Sequence, residues 1–402
     1  MPSGHSQGSA SSQVEPPVVA LNSDQLSAGP WVFARQVRTP DQPLPAGCLV
    51  EVHDASGRFI GHALYNEASD IRLRMLSRGR RSDLARPREF LLRRIKSADD
   101  LRRKVLRLTD VCDAYRIVHA EGDDLPGLIV DRLGAYLVCE HHSIGFWNLR
   151  GEIEWALNQL YPDFEVLHRF ARAAARSEGF ESAEPAADPG PTTIREHGCT
   201  FVVVPAGGHK TGWFCDQRDN RQRVAELCRG RELLDLCCNA GGFALHARAR
   251  GAERVTAVDL DEVVLDRARR SAEMNALEID FVHADAFDHL RSVRSRTRRP
   301  DFIVLDPHKL IPGKARMDEG LAKYNDLNTL ALEAVRPGGL LATFSCSGLL
   351  TESAFIGLLF ASARRAGRGV RLLERFEAAP DHPQRPEFSR SRYLKGALLH
   401  VE

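Results

Sequence analysis

Apolar and polar residues alternate in short runs over the first part of the chain, and the rhythm changes after residue 208. PWVFARQV (30–37), CLVEVHD (48–54) and FIGHALY (59–65) are strand-like, and ASGR between the last two is a glycine-containing hairpin turn. A helix is expected from about Arg86 to Leu106. From Tyr115 onward YRIVHAEGDDLPGLIVDRLGAYLVCEHH again alternates around the turn EGDDLPG. FWNLRGEIEWALNQLY follows with apolar residues at helical spacing, then the strands FEVLHRF and CTFVVVPA. SEGFESAEPAADPGPTT between those two strands reads as a polar loop.

Beyond residue 208 strands and helices take turns. ELLDLCC, RVTAVDL, IDFVHAD, DFIVLD, LLATFSC, VRLLERF and YLKGALLHV are seven strand candidates, with helical segments between most of them. Short apolar runs separated by helices predict an α/β unit, a mostly parallel sheet covered on both faces. No obvious helix separates the last two strands, so an antiparallel edge is expected there. The organisation predicted is a disordered Ser/Pro/Gly-rich tail (1–28), a small β-rich domain with a basic helix (29–108), a central α+β domain (109–207) and the α/β domain (208–402).

Composition adds little until charge is mapped. The chain has 402 residues, 43% hydrophobic and 27% charged, with net charge +1. No apolar run is long enough for a membrane span, and the first residues lack the basic and apolar regions of a signal peptide. The nine cysteines show no C-x-x-C spacing, which predicts a reduced, cytoplasmic setting without a structural metal. Residues 71–107, however, carry twelve Arg and two Lys against four acids. An arginine-dominated excess suits phosphate contacts, and Arg78, Arg80 and Arg81 are candidate RNA ligands. The arginines of RSVRSRTRR (291–299) are a second candidate surface.

In an open α/β sheet the ligand site lies beyond the carboxyl ends of the strands. The first strand of the last domain ends in DLCCNAGGF, where Gly241 and Gly242 permit a tight turn and close approach of a ligand. Asp259 ends the second strand, eighteen residues beyond Gly241, near the spacing of a ribose-binding acid. Asp261 reads as the cap of the following helix. Asp285, at the end of the third strand, suits either an adenine contact or a helix cap. Together they suggest an adenosyl ligand; G-x-G-x-x-G and G-x-x-x-x-G-K-[ST] are both missing, which disfavours a dinucleotide or phosphate-loop site. The fourth strand ends in Asp306-Pro307 and the fifth in Ser345-Cys346, so an acid and a thiol are expected side by side on one rim.

NAGGF, VDLDEVVLDRARRSAEMN, DPHK and TFSCSG resemble, in order, the motifs of class I S-adenosylmethionine-dependent methyltransferases, and more narrowly those of the bacterial large-subunit ribosomal RNA cytosine-5 methyltransferases. PWVFARQV and its hairpin resemble that family's RNA-binding PUA domain. YRIVHAEGDDLPGLIVDR is similar to the start of its central domain, and HKTGWFCDQRDNR to the segment leading into catalysis. The resemblance implies a cytoplasmic enzyme, a homodimer, with S-adenosylmethionine as cofactor and large-subunit ribosomal RNA as partner. It implies that Asp235, Asn239, Gly241 and Gly242 face the methionine part of the cofactor, that Asp259 holds the ribose and Asp285 the adenine, and that Lys210 and Gln217 line the pocket. It assigns Cys346 as nucleophile beside Asp306, with Lys309 toward RNA. One departure stands out: the family reads DPPK where this chain has Asp306-Pro307-His308-Lys309, and His308 lacks the locked φ of a second proline. Methylation of a base nitrogen, which needs no thiol, and an inactive RNA-binding homologue are the competing readings.

Overall fold

The structure is a computed structural model, and it describes residues 15–25, 28–79, 86–179, 189–207 and 211–402. The first sheet contains β1 (Val18–Ala20), β2 (Trp31–Val32), β3 (Leu49–His53), β4 (Phe59–Tyr65) and β5 (Leu73–Arg78), in the order β1-β3-β4-β5-β2. The predicted hairpin joins β3 to β4. Asp54 Oδ1 accepts from the backbone N–H groups of Ser56 and Arg58, and Gly57 takes the left-handed conformation the turn requires. One difference concerns the segment read as a disordered tail. Val18–Ala20 pairs parallel with β3, and Val19 is buried in the sheet's core. A three-residue apolar run gains order by joining an existing edge, which no local pattern announces.

α1 (Pro87–Asp100) follows, shorter than the predicted helix, because a wider π turn continues it from Leu101 to Val105. Arg102 in that turn is wholly buried. It forms a fork with Asp123 at 2.7 and 2.8 Å and donates to the Asp381 carbonyl. The wider turn coincides with this inward-pointing charge, the kind of site where π turns are found.

The second sheet is β6 (Ala114–His119), β7 (Leu128–Leu133), β8 (Tyr136–His141) and β9 (Glu165–Phe170), in chain order. β9 runs parallel to β8, after a crossover through α2 (Ile144–Asn148) and α3 (Arg150–Leu160). α1 and α3 cover this sheet, and Leu64 and Leu76 of the first sheet join the same apolar core. After α4 (Arg172–Ala175), β10 (Thr192–Glu196) and β11 (Cys199–Val203) form a hairpin.

The third sheet has seven strands: β12 (Glu232–Leu236), β13 (Arg254–Asp259), β14 (Asp280–His283), β15 (Phe302–Leu305), β16 (Gly339–Ser345), β17 (Val370–Phe376) and β18 (Lys395–Val401). Their order is β14-β13-β12-β15-β16-β18-β17, and the first five are parallel. Alternate residues of one strand feed two cores. Leu234, Ile303 and Leu341 meet α8 (Ala286–Arg294), α9 (Met317–Ala334) and α10 (Glu352–Arg365). Leu233, Phe302 and Leu340 meet α5 (Arg218–Glu226), α6 (Gly242–Ala249) and α7 (Glu262–Met274). This is the two-faced burial that the unbroken apolar runs predict. The last two strands do pair antiparallel, but β18 is interior, between β16 and β17, and β17 forms the edge.

Candidate active site

The order of the third sheet reverses between β12 and β15, and a cleft of about 850 Å³ opens there at the carboxyl ends of the strands. Its floor is the turn after β12. Cys237, Asn239 and Gly241 all have positive φ, at 58°, 50° and 78°. Two of the three are not glycine, and strain of this kind is retained where the surroundings fix a functional loop. A Cβ on Gly241 would meet Leu245 Cδ1 at 2.7 Å, and one on Gly242 would meet Arg221 Cδ at 2.7 Å.

Acids surround the turn. Asp259 accepts from Asn239 N through Oδ2 at 2.8 Å and from Asp261 N through Oδ1 at 3.0 Å. It is therefore fixed in place, and each oxygen retains a second lone pair toward the cleft. Asp261 caps α7 through Val263 N, as the sequence suggests. Asp235 is fully buried; Oδ2 accepts from Ala244 N, and Oδ1 has no partner among the described residues. Burial pushes its carboxyl well above the usual range, and the charges of Asp306 and Asp259 add to the effect. Asp285 caps α8, its Oδ1 accepting from Phe287 N and Asp288 N. It lies outside the cleft lining, and Oδ2 takes no hydrogen bond among the described residues.

β15 and β16 are parallel neighbours, and both Asp306 and Cys346 line the cleft. Gln217, buried at the start of α5, donates Nε2 to Asp306 Oδ2 at 3.0 Å and accepts from Asn220 through Oε1. The serines flanking Cys346 do structural work. Ser345 Oγ donates to Tyr324 OH at 2.9 Å, Tyr324 OH meets Ser347 Oγ at 3.0 Å, and Ser347 Oγ accepts from Ile311 N. Both hydroxyls are thus turned into the protein, while Cys346 stays partly exposed. The cysteines of the floor differ: burial pushes the Cys237 and Cys238 thiols far up, and neighbouring carboxylates push in the same direction. Among the described residues no group of His, Cys, Asp and Glu is arranged to hold a metal.

His308 and Lys309 are exposed on the cleft wall. The far wall comes from the other sheets: Trp31 and Arg74 from the first, His119 and Glu140 from the second. Arg390 closes the rim, its guanidinium 5.7 Å from the Trp31 ring. Lys210, Arg80 and Arg81 lie outside the described residues.

The Arg-rich stretch is more structural than its charge suggests. Besides Arg102, Arg74 is buried and paired with Glu178 at 2.9 Å. Glu178 comes from the segment read as a polar loop, and it also accepts from Asn66, Ser69 and the Ile144 N–H. Arg94, Arg103 and Arg107 pair with Asp124, Asp99 and Asp110. Arg78 is exposed, with Nη2 donating to the carbonyls of Ala28 and Gly29. In the second candidate surface Arg291, Arg294 and Arg298 pair with Asp288, Glu333 and Glu232.

A seven-stranded sheet of this order, with a glycine turn and strand-end acids around a cleft, defines a class I methyltransferase fold. A family model described as S-adenosylmethionine-dependent methyltransferase matches residues 153–398, and one for a PUA-like domain matches residues 26–78. Relatives of nearly equal length carry the name ribosomal RNA large subunit methyltransferase I. That of Photobacterium profundum is 36% identical over 93% of this chain and 95% of its own, and that of Erwinia tasmaniensis is 35% identical over 94% and 96%. The chain belongs to this family of S-adenosylmethionine-dependent methyltransferases. Two solved structures share the fold at 21% identity, each covering 96% of this chain and 100% of its own. One is a methyltransferase complexed with SAH (TM-score 0.78), the other a SAM-dependent methyltransferase from Streptococcus mutans (TM-score 0.77).

S-adenosylmethionine is the cofactor, and the cleft fits it. The unpartnered Oδ1 of Asp235 belongs to the strand that leads into a glycine turn that a Cβ would crowd, and Asp259 retains lone pairs for a diol.

Proposed function

We propose that the chain methylates carbon-5 of a cytosine in large-subunit ribosomal RNA, in the cytoplasm, with Cys346 as covalent nucleophile. The names of the relatives support the RNA substrate. The observation that carries the mechanism is the position of Cys346, held at the cleft by two inward-turned serines, on the strand next to that of Asp306. Bound S-adenosylmethionine supplies an electrophilic methyl group on a sulfonium. Asp235 and the turn Asn239–Gly242 hold its methionine part, Asp259 its ribose hydroxyls, and Asp285, through the open Oδ2, its adenine amino group.

Carbon-5 of cytosine is too weak a nucleophile to accept a methyl group directly. The Cys346 thiolate adds to carbon-6, and the ring electrons move to carbon-5, which becomes enamine-like and takes the methyl. Loss of the carbon-5 proton then restores the double bond and expels the thiolate. Asp306, oriented by Gln217, holds the ring by accepting from its amino group. Lys309 and Arg78, both exposed, meet the RNA backbone.

RNA carrying 5-fluorocytosine tests this directly, because fluorine at carbon-5 blocks the final elimination. We expect a covalent protein–RNA complex that survives denaturation and is lost in Cys346→Ala. Methyl transfer to unmodified RNA without any such complex would shift the reading to a base nitrogen. For the cofactor, Asp259→Asn is expected to weaken SAH binding by calorimetry roughly tenfold or more, the size of a hydrogen bond to a charged group. Unchanged affinity would remove Asp259 from the ribose site.

A further inference from the structure

We propose that Lys395 is the electrostatic partner of the Cys346 thiolate, a positioning residue that keeps the sulfur ionised for attack. The proposal rests on the reading of Cys346 as nucleophile. A free thiol is mostly protonated at neutral pH, so a nucleophilic cysteine needs a local source of positive potential. The structure provides one from an element far away in sequence.

β18 pairs antiparallel with β16, and Lys395 stands directly opposite Ser345. Directly paired residues project to the same face of a sheet. The Lys395 stem therefore runs beside Ser345 and under the Ser345–Ser347 turn, where Nζ donates to the Ser347 carbonyl at 2.7 Å. This hydrogen bond anchors the ammonium one residue from Cys346. Lys395 is 5% exposed, and its other two N–H groups have no acceptor among the described residues. A buried ammonium with one partner is incomplete. Burial above all lowers it, the charge of Cys346 acts to raise it and Lys309 to lower it, and together they leave it at about 8. An anion on Cys346 and a cation on Lys395 thus stabilise each other.

The surroundings favour this pairing. From β15 and its loop come Asp306, already engaged by Gln217, and the cation Lys309. From α9 comes Tyr324, whose hydroxyl burial holds in its neutral form. From β18 comes Lys395. The floor cysteines have the opposite environment, carboxylates and no buried lysine. In the step itself the Cys346 proton leaves to water, the sulfur electron pair forms the bond to carbon-6, and Lys395 keeps its proton throughout.

The test is the pH dependence of Cys346 alkylation by iodoacetamide in the full chain, followed by peptide mass mapping. In Lys395→Gln the inflection is expected to rise by about one unit or more, slowing Cys346 alkylation at neutral pH roughly tenfold. Lys395→Arg is expected to restore most of the rate, and Cys48, in the turn just before β3, serves as the unaffected reference thiol. Thermal melting and SAH binding identify the folded variants; if Lys395→Gln does not fold, Lys395→Met is read in the same way. A variant profile that superimposes on the wild type overturns the proposal. The 5-fluorocytosine trap keeps the two ideas apart. Intact trapping with an unmoved profile refutes the pairing alone, whereas a shifted profile without trapping leaves the pairing standing and refutes the nucleophile.

Discussion

Cys346→Ala is expected to lower methyl transfer by ~10⁴-fold, the scale seen when a covalent nucleophile is removed, while SAH affinity stays within about twofold of the wild type. The separation follows from how the turn is built. Tyr324, Ile311 and Lys395 fix the turn through Ser345 and Ser347, so deleting the sulfur breaks none of those bonds. The proposed cofactor contacts sit on β12, β13 and α8, two or more strands away from β16. Single-turnover kinetics with labelled cofactor and calorimetry with SAH give the two numbers. Retained turnover in a folded Cys346→Ala protein would exclude covalent catalysis here.

Asp381→Ala is expected to cost roughly 3–5 kcal/mol, the penalty for stripping a buried charge of its partner. Asp381 is completely buried where β6 of the second sheet meets α5, which packs on the third. Oδ2 accepts from Arg218 Nη1 at 3.0 Å and from Arg116 N at 2.9 Å, and Oδ1 meets His382 Nδ1 at 3.1 Å. Its own carbonyl accepts from Arg102. Arg218 is 1% exposed and already has an unpartnered Nη2, so removing the acid leaves a second gap in the same guanidinium. A melting midpoint lower by roughly 5–15 °C is expected, read by calorimetry. Burial alone would raise the Asp381 carboxyl, but Arg218, His382 and the Arg116 N–H together hold it far below the usual range. With the folded value below the unfolded one, the contribution is complete above about pH 4 and is lost as the pH falls further. The melting gap between wild type and Asp381→Asn should therefore narrow in acid. A midpoint within about 1 °C of the wild type would mean that the network is not holding the units together.

The sheet was legible because burial on two faces leaves a plain mark: FIVL (302–305) and LLATF (340–344) are nearly unbroken apolar runs. Asp259, Asp306 and Cys346 share one rim for a related reason, since each stands at the end of a parallel strand, whereas Asp235 lies within its strand and Asp285 caps a helix outside the cleft lining. Pairings across long stretches of chain leave no local mark. Arg74 meets Glu178, Arg218 meets Asp381 and Lys395 reaches the Ser347 carbonyl, and none of these residues differs in local pattern from a surface charge. For the same reason the Arg-rich segment reads as one basic face, although two of its arginines are buried in ion pairs. The interior place of β18 is equally hidden, because strand composition does not encode strand order.

That place also sets a timetable. Each of the seven residues of β18 stands opposite one of β16 on one side, and six of them stand opposite β17 on the other. Until synthesis has passed Val401, the rim strand that bears Cys346 has an unsatisfied edge and β17 has no neighbour to join. A nascent polypeptide stalled before that point carries every proposed cofactor ligand yet lacks the strand that flanks β16 and seats β17.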